Sequence, residues 1–244
     1  MARVKEPPFI EVHTRLNVVF LLQSATIHQR SALHFQDRSN LQCSMIAAVA
    51  VASLSQLTAN LITRKFLDDI IMQGDQLYRN VVAALGFGSV WLPPEKIPHE
   101  LDVLTNIVGF KFEELGSGGL VMGCGKEIES AIKRGTSVLR RCGIPNAFLF
   151  TSQSKTMGFV PIGLQRFLLF NSHCVDRDNR VKMTVAGGAA RLFRCVSPAA
   201  VCECLLQGHI RNGACWRVIC VQLQYQQRAI IHELGQKLGT ASKQ

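Results

Sequence analysis

Residues 42–61 form an alanine-rich stretch that contains neither glycine nor proline. Alanine favours the helix, and a stretch of this length is too long for an ordinary strand. Large apolar side chains recur through it, at Met45, Ile46, Val49, Leu54, Leu57 and Leu61. The sequence therefore predicts a helix that is buried in the core of a domain and begins beside Cys43.

The composition is that of a globular protein with a basic charge balance. The chain has 244 residues, of which 48% are hydrophobic and 18% charged, so it can bury a core as one domain. The net charge of +10 favours acidic partners or nucleic acid. The basic residues are scattered, however, and two Trp and two Tyr offer little surface for stacking bases. Nucleic acid is thus disfavoured as the main partner, and a nucleic-acid-binding module is kept as an alternative interpretation.

The cysteines and the apolar segments favour an intracellular protein, cytoplasmic or nuclear, with no membrane association. No secretory signal opens the chain, and the longest apolar stretch, Met45–Leu54, is far shorter than the ~20 residues that span a bilayer. Nine cysteines favour free, buried thiols in a reducing compartment. Cys202, Cys204, Cys215 and Cys220, with His209 between them, match the usual zinc spacings poorly. We predict no metal and no other cofactor.

Periodicity and turn residues predict an α+β fold in which a helical block packs against an antiparallel β-sheet meander. The predicted helices are residues 42–61, 63–82, 100–112, 125–141 and 199–206, with a glycine-rich turn at 116–125. The predicted strands are residues 16–22, 147–151, 156–161, 167–170, 182–185, 191–196 and 216–223. Residues 1–14 are expected to be a flexible lead-in, 15–225 the domain, and 226–244 a polar C-terminal helix or tail.

Cys43 is a candidate nucleophile because of its place at the start of the predicted helix. Unpaired amides and the helix dipole favour a thiolate there, and the thiolate is the reactive form of cysteine. The alternative interpretation is a small buried core residue, which is a common role for cysteine.

His173 is a candidate base. It follows a predicted strand in the sequence FLLFNSHC, and strand alternation puts Asn171 on the same side. An amide there can orient the imidazole, as in a Cys-His-Asn arrangement. The alternative is an Asn that caps a turn and a His on the surface.

A set of short motifs in this order resembles the N-terminal cysteine protease domain of herpesvirus large tegument proteins. The motifs are Gln29 in SATIHQ, Phe35, Gln42-Cys43, Leu67-Asp68, Gly74-Asp75-Gln76-Leu77-Tyr78, Phe170-Asn171-Ser172-His173 and residues 187–193, GGAARLF. The resemblance covers about residues 16–206. It implies a papain-like fold and a thiol protease that acts on ubiquitin or NEDD8 conjugates. For a viral protein it also implies the virion tegument and the host cell.

The resemblance implies a role for each matching residue. Cys43 corresponds to the nucleophile and His173 to the general base, while Gln29 corresponds to the glutamine that forms the oxyanion hole. Asn171 stands where the family usually has Asp, and a neutral amide stabilises an imidazolium less than a carboxylate does. Asp176 is a possible substitute for it, and Ile46 replaces a small polar residue of the relatives.

The implied reaction is hydrolysis of the isopeptide bond after the C-terminal glycine of the modifier. Such a tail needs a narrow channel, for which residues 116–119 or 86–94 are candidates. The tails of ubiquitin-like modifiers carry arginines, so carboxylates are expected to bind them, and Asp68-Asp69 and Glu113-Glu114 are the candidates. Because of the departures at Asn171 and Ile46, a catalytically weakened or inactive ubiquitin-binding relative is the first alternative. The sequence does not distinguish ubiquitin from NEDD8, and it does not determine the oligomeric state.

Overall fold

The fold is a single sheet with helices on both faces, seen in a computed structural model. The structure describes residues 10–13, 18–57, 61–103, 106–119, 124–142, 146–163, 165–177, 179–180, 188–207 and 214–227. Nine strands lie in these residues: β1 (Ile10–His13), β2 (Val18–Ser24), β3 (Glu100–Val103), β4 (Asn106–Gly119), β5 (Asn146–Ser152), β6 (Lys155–Ile162), β7 (Arg166–Val175), β8 (Ala189–Cys195) and β9 (Cys215–Gln227). All neighbours pair antiparallel, in the order β1-β2-β8-β7-β6-β5-β9-β4-β3.

Five α-helices lie in the described residues. They are α1 (Ala32–Phe35), α2 (Cys43–Leu54), α3 (Arg64–Leu85), α4 (Cys124–Cys142) and α5 (Pro198–Gln207). Helix α3 begins after Thr63, whose hydroxyl accepts a hydrogen bond from the Phe66 amide at 3.1 Å, and it ends at Gly86, which has a φ of +67°. These are a usual N-terminal cap and a left-handed C-terminal residue that favours glycine.

The predicted α+β fold and its meander are confirmed. Strands β5 to β8 are consecutive neighbours in the sheet, as the short apolar runs after residue 145 predicted. Phe167, Leu168, Leu169 and Phe170 of β7 are all buried because the sheet is covered on both faces. Leu168 and Phe170 face α2 and α3, whereas Phe167 and Leu169 face α4 and α5.

The helix predicted at residues 100–112 is wrong, because this segment forms β3 and the first half of β4. Leu101 and Val103 of β3, and Val108 and Phe110 of β4, are buried while their neighbours are more exposed, which is the two-residue period of a strand. Strand β4 pairs with β9 from Asn106 to Gly119. That long pairing also takes up residues 116–119, which were predicted to lie in a turn.

Helix α2 is buried over its whole length, as predicted, although it is shorter than the predicted 42–61. Two glycines allow its close packing. A Cβ at Gly74 of α3 would lie 2.5 Å from the Ile46 Cα, and one at Gly158 of β6 would lie 3.0 Å from the Ala47 carbonyl oxygen. Helix α2 is therefore enclosed between α3 and the sheet at backbone contact distance.

The ends of the chain differ in part from the expectation. Residues 10–13, inside the predicted lead-in, form β1 and pair with β2. Strand β9 continues to Gln227, two residues past the predicted end of the domain at 225. The domain boundary itself stays a prediction. The predicted strand at 182–185 and most of the predicted C-terminal helix lie outside the described residues. None of the described helices combines the length and the apolar character needed to span a membrane.

Candidate active site

Cys43 is the first residue of α2, and its side chain is completely buried. The Trp91 indole Nε1–H donates a hydrogen bond to Sγ at 3.2 Å, and the thiol donates to the Ser154 carbonyl oxygen at 3.4 Å. Burial raises the pKa of the Cys43 thiol, and the hydrogen bond from Trp91 is the largest influence in the opposite direction. The thiol at rest is therefore neutral and enclosed by protein.

The turn between β5 and β6 supplies the carbonyl that meets Cys43. Gln153 and Ser154 have φ values of +51° and +58°, which is the geometry of a two-residue hairpin turn with both central residues left-handed. Ser154 also lines a cavity of about 320 Å³, together with Arg30, Asn40, Gln153, Lys155, His173 and Cys174. Ser154 thus contacts the Cys43 sulfur and also lines the cavity that His173 lines.

His173 and Asn171 lie in β7, and their side chains meet as predicted. Asn171 Oδ1 lies 2.7 Å from His173 Nδ1 and accepts a hydrogen bond from the His173 backbone amide at 3.0 Å. Both side chains are buried. Asp176, the possible substitute for Asn171, accepts a hydrogen bond from the Arg180 amide at 2.9 Å, and the oxygen beside Nδ1 is that of Asn171.

Gln29 lies beside the same strand. Its backbone amide donates to the Ser172 carbonyl oxygen at 3.0 Å, and its Oε1 accepts a hydrogen bond from Ser172 Oγ at 2.8 Å. The Gln29 carbonyl oxygen accepts from the Asn40 amide at 3.1 Å, in the loop that leads to α2. Its buried Nε2 has no acceptor among the described residues. Gln29 therefore joins β7 to the segment before Cys43, and its amide donor is unused.

The Gly-Asp-x-Leu-Tyr motif of α3 surrounds the start of α2. Gly74 lies against the backbone of Ile46 in α2. Asp75 is buried and binds side chains. Its carboxylate accepts hydrogen bonds from Arg38 Nε at 3.2 Å and from Gln42 Nε2 at 3.4 Å. The residue before Cys43 is thereby attached to α3.

Tyr78, the last residue of this motif, positions the loop that contains Trp91. Its hydroxyl donates to the Val90 carbonyl oxygen at 2.7 Å and accepts from the Val90 amide at 3.0 Å. Trp91 follows and contacts Cys43 Sγ. The loop at residues 86–94, one of the two predicted channel walls, therefore does lie beside Cys43. In residues 116–119, the other predicted wall, Gly116 and Gly118 pack against the Trp216 indole.

Three of the four predicted acidic residues have partners within the chain, namely Asp68, Asp69 and Glu114. Asp68 Oδ1 accepts hydrogen bonds from the Thr26 and Ile27 amides at 2.7 and 3.2 Å, and Asp69 pairs with Lys65 Nζ at 2.9 Å. Glu114 of β4 pairs with Arg217 at 2.8 Å. Asp68 is thus structural and fixes the segment that leads to Gln29.

Two residues of the site belong to no motif or periodic pattern in the sequence. Trp91 is an aromatic residue in a Gly/Pro-rich loop. Asn179 is buried, accepts a hydrogen bond from Asn171 Nδ2 at 2.8 Å, and lies in a polar segment with no motif. A buried aromatic or amide contact between distant segments leaves no periodicity in a single sequence.

The cysteine cluster shows no metal geometry in the part of the chain that the structure describes. Cys202, Cys204 and Cys220 are buried thiols, and Cys215 is exposed. No group of three or more His, Cys, Asp or Glu side chains among the described residues is placed to bind a metal ion. His209 lies outside those residues.

Comparison with known proteins identifies the family. The chain matches the herpesvirus tegument protein N-terminal conserved region over residues 24–232, and no curated protein is significantly similar in sequence. Its fold resembles that of the ubiquitin-specific protease encoded by murine cytomegalovirus tegument protein M48, solved in complex with a ubiquitin-based suicide substrate. The TM-score is 0.62 at 13% identity, covering 86% of this chain and 88% of the other. The family match extends over most of the chain, which therefore belongs to the family of herpesvirus tegument protein N-terminal regions.

Proposed function

We propose that this protein is a thiol-dependent isopeptidase that hydrolyses the bond after the C-terminal glycine of ubiquitin or NEDD8. The observation that carries the proposal is the Asn171–His173 pair in β7, at the margin of a cavity whose Ser154 also contacts the thiol at the tip of α2. The fold likeness to a protease captured with a ubiquitin-based suicide substrate supports ubiquitin as the modifier. NEDD8 rests on the sequence resemblance alone.

In the proposed mechanism His173 is the general base. Its Nδ1–H donates to Asn171 Oδ1, so Nε2 is the nitrogen that takes the proton from Cys43 Sγ. The thiolate attacks the glycine carbonyl carbon, a C–S bond forms, and the electron pair moves to the carbonyl oxygen. The Gln29 Nε2–H and the Cys43 amide donate to this oxyanion. Gln29 Nε2 has no acceptor in the described part of the chain, so its N–H is available for that purpose.

The second half of the cycle returns the enzyme to its starting state. The tetrahedral intermediate breaks the C–N bond, and the proton on His173 Nε2 passes to the lysine amine as it leaves. Water then gives a proton to Nε2 and adds to the thioester, and the thiol is released and regains its proton.

Because Sγ is fully buried, the substrate carbonyl reaches it only after Ser154 or Trp91 moves aside.

A ubiquitin that carries a C-terminal propargylamide tests the proposal, because it forms a covalent bond with a reactive cysteine. We expect labelling of the full chain to be lost in Cys43→Ala and retained in Cys215→Ala. Cys215 is the matched control because it is the exposed cysteine of the described residues. Labelling that persists without Cys43 would exclude it as the nucleophile. The same experiment with the NEDD8 electrophile gives the modifier preference.

The buried, neutral thiol specifically favours one other function. A binding domain that kept the fold and lost turnover also fits a Cys43 whose pKa is raised by burial and a neutral amide at position 171. For that function we expect ubiquitin to bind without any covalent adduct, which titration calorimetry and the labelling reaction distinguish together. The family membership leads us to propose the virion tegument and the infected cell as the location.

A further inference from the structure

Asn179 connects the candidate base to helix α5. Its side chain is buried, and its Nδ2 donates to the Cys204 carbonyl oxygen of α5 at 2.8 Å. Its Oδ1 accepts from Asn171 Nδ2 at 2.8 Å. The residue has a φ of +62°, a left-handed conformation that Asn adopts more readily than most residues. A chain of three contacts thus runs from α5 through two amides to His173.

Backbone groups at both ends determine how the two amides are oriented. A carbonyl oxygen only accepts, so the Asn179 atom that faces Cys204 is the nitrogen, and its oxygen faces Asn171. A backbone amide only donates, so the Asn171 atom that faces the His173 amide is the oxygen. Both hydrogen bonds are consistent with the same orientation of Asn171, in which its Nδ2 points at Asn179.

The orientation of Asn171 determines the tautomer of the imidazole. Because the Asn171 oxygen lies 2.7 Å from His173 Nδ1, the ring carries its proton on Nδ1, and Nε2 carries the lone pair. An amide in the opposite orientation would present N–H groups to Nδ1 and would favour the proton on Nε2. A carboxylate has an oxygen on both sides and needs no such control.

We infer that Asn179 is a positioning residue that makes Asn171 act in place of the family's Asp. It does not touch substrate; it acts through Asn171 on the tautomer of His173. The inference deepens the proposed function, since it assigns the residue that keeps Nε2 available as the base. It also gives a reason why Asn is tolerated at position 171. Asn179 holds the Asn171 amide with its oxygen toward His173, whereas a carboxylate would present an oxygen in either orientation.

Asn179→Gly tests the inference in two backgrounds. Glycine accepts the left-handed backbone without strain and removes only the side chain. With Asn171 present, we expect the rate of labelling by ubiquitin propargylamide to fall about tenfold, the value of one net hydrogen bond. With Asn171→Asp, a carboxylate oxygen would face Asn179 Oδ1 at 2.8 Å, so we expect Asn179→Gly to raise the rate instead. An equal loss in both backgrounds would overturn the inference, because a merely structural residue behaves in that way.

Nitrogen NMR of ¹⁵N-histidine-labelled protein gives a readout that does not depend on catalysis. We expect His173 to carry its proton on Nδ1 in the wild-type chain and to become a mixture of tautomers in Asn179→Gly. Gln36→Gly is the control, because Gln36 is an exposed left-handed residue with a φ of +50°. An unchanged tautomer in Asn179→Gly, or a proton on Nε2 in the wild type, would refute the positioning role. If the tautomer changes as expected while no variant is labelled, the positioning role stands and the proposed isopeptidase function fails.

Discussion

Gly74→Ala should destabilise the domain because α2 and α3 are in backbone contact at this point. The added Cβ would lie 2.5 Å from both Cα and Cγ1 of Ile46 and 2.9 Å from its backbone nitrogen. Ordinary contact needs about one ångström more, so the helices must separate. Helix α2 has no room to move, since Val51 and Ala47 already lie against Gly158 of β6 on its other side.

The expected loss of stability follows from two opposing effects. Overpacking of a core costs up to about 3 kcal/mol, and backbone contact places this site at the upper end. Alanine gains about 1 kcal/mol over glycine in a helix interior. We therefore expect the free energy of unfolding to fall by about 2 kcal/mol. Since Ile46 follows Cys43 by one helical turn, labelling by the ubiquitin electrophile should fall as well.

Urea unfolding measures the loss, with Gly88→Ala as the matched control. A Cβ at Gly88 meets no atom within 4 Å, so this substitution should change stability by no more than about 0.5 kcal/mol. The double variant Gly74→Ala with Ile46→Ala should recover only part of the loss, because Cα and the backbone nitrogen remain in place. If Gly74→Ala is as stable as Gly88→Ala, or if Ile46→Ala restores it completely, the backbone contact is not what requires glycine.

Two further predictions concern the chemistry at Cys43. Trp91→Phe removes the donor that opposes the effect of burial, so the pKa of the Cys43 thiol should rise and the thiolate should appear at higher pH. The pKa of Cys43 is measured from the thiolate absorbance, taken as the difference from a matched Cys43→Ala protein. Trp216→Phe is the control and should leave the titration unchanged, because the Trp216 indole packs on Gly116 and Gly118. If Trp91→Phe and the wild type titrate alike, the Trp91 indole does not lower the pKa of Cys43. Gln29→Ala should lower the labelling rate by about 10² to 10³, the usual cost of losing an oxyanion donor. Ser172→Ala removes only the partner of Gln29 Oε1 and should lower the labelling rate less. A Gln29→Ala protein with a normal labelling rate and melting temperature would show that the Gln29 amide takes no part in the reaction.

The fold could be predicted where neighbouring residues decide the structure. The alanine-rich composition of α2 is a local signal, and so is the helical spacing that predicted a helix at residues 63–82, where the structure has α3 from Arg64 to Leu85. The helix predicted at residues 100–112 failed because a short apolar run fits either period. Its strand character depends on pairing with β9, more than a hundred residues later, and no local pattern reports such a pairing.

The site divides in the same way. Asn171 and His173 are two residues apart, so strand alternation predicted that they share one side, and the contact in β7 agrees with that prediction. The sequence by itself also determines that Cys43 begins a buried helix. Only the tertiary structure decided that Trp91 and Ser154 enclose the sulfur and that Asn179 orients Asn171. Those contacts join segments that meet through packing of the whole sheet and its helices, whereas helix and strand periods arise from residues within a few positions of each other.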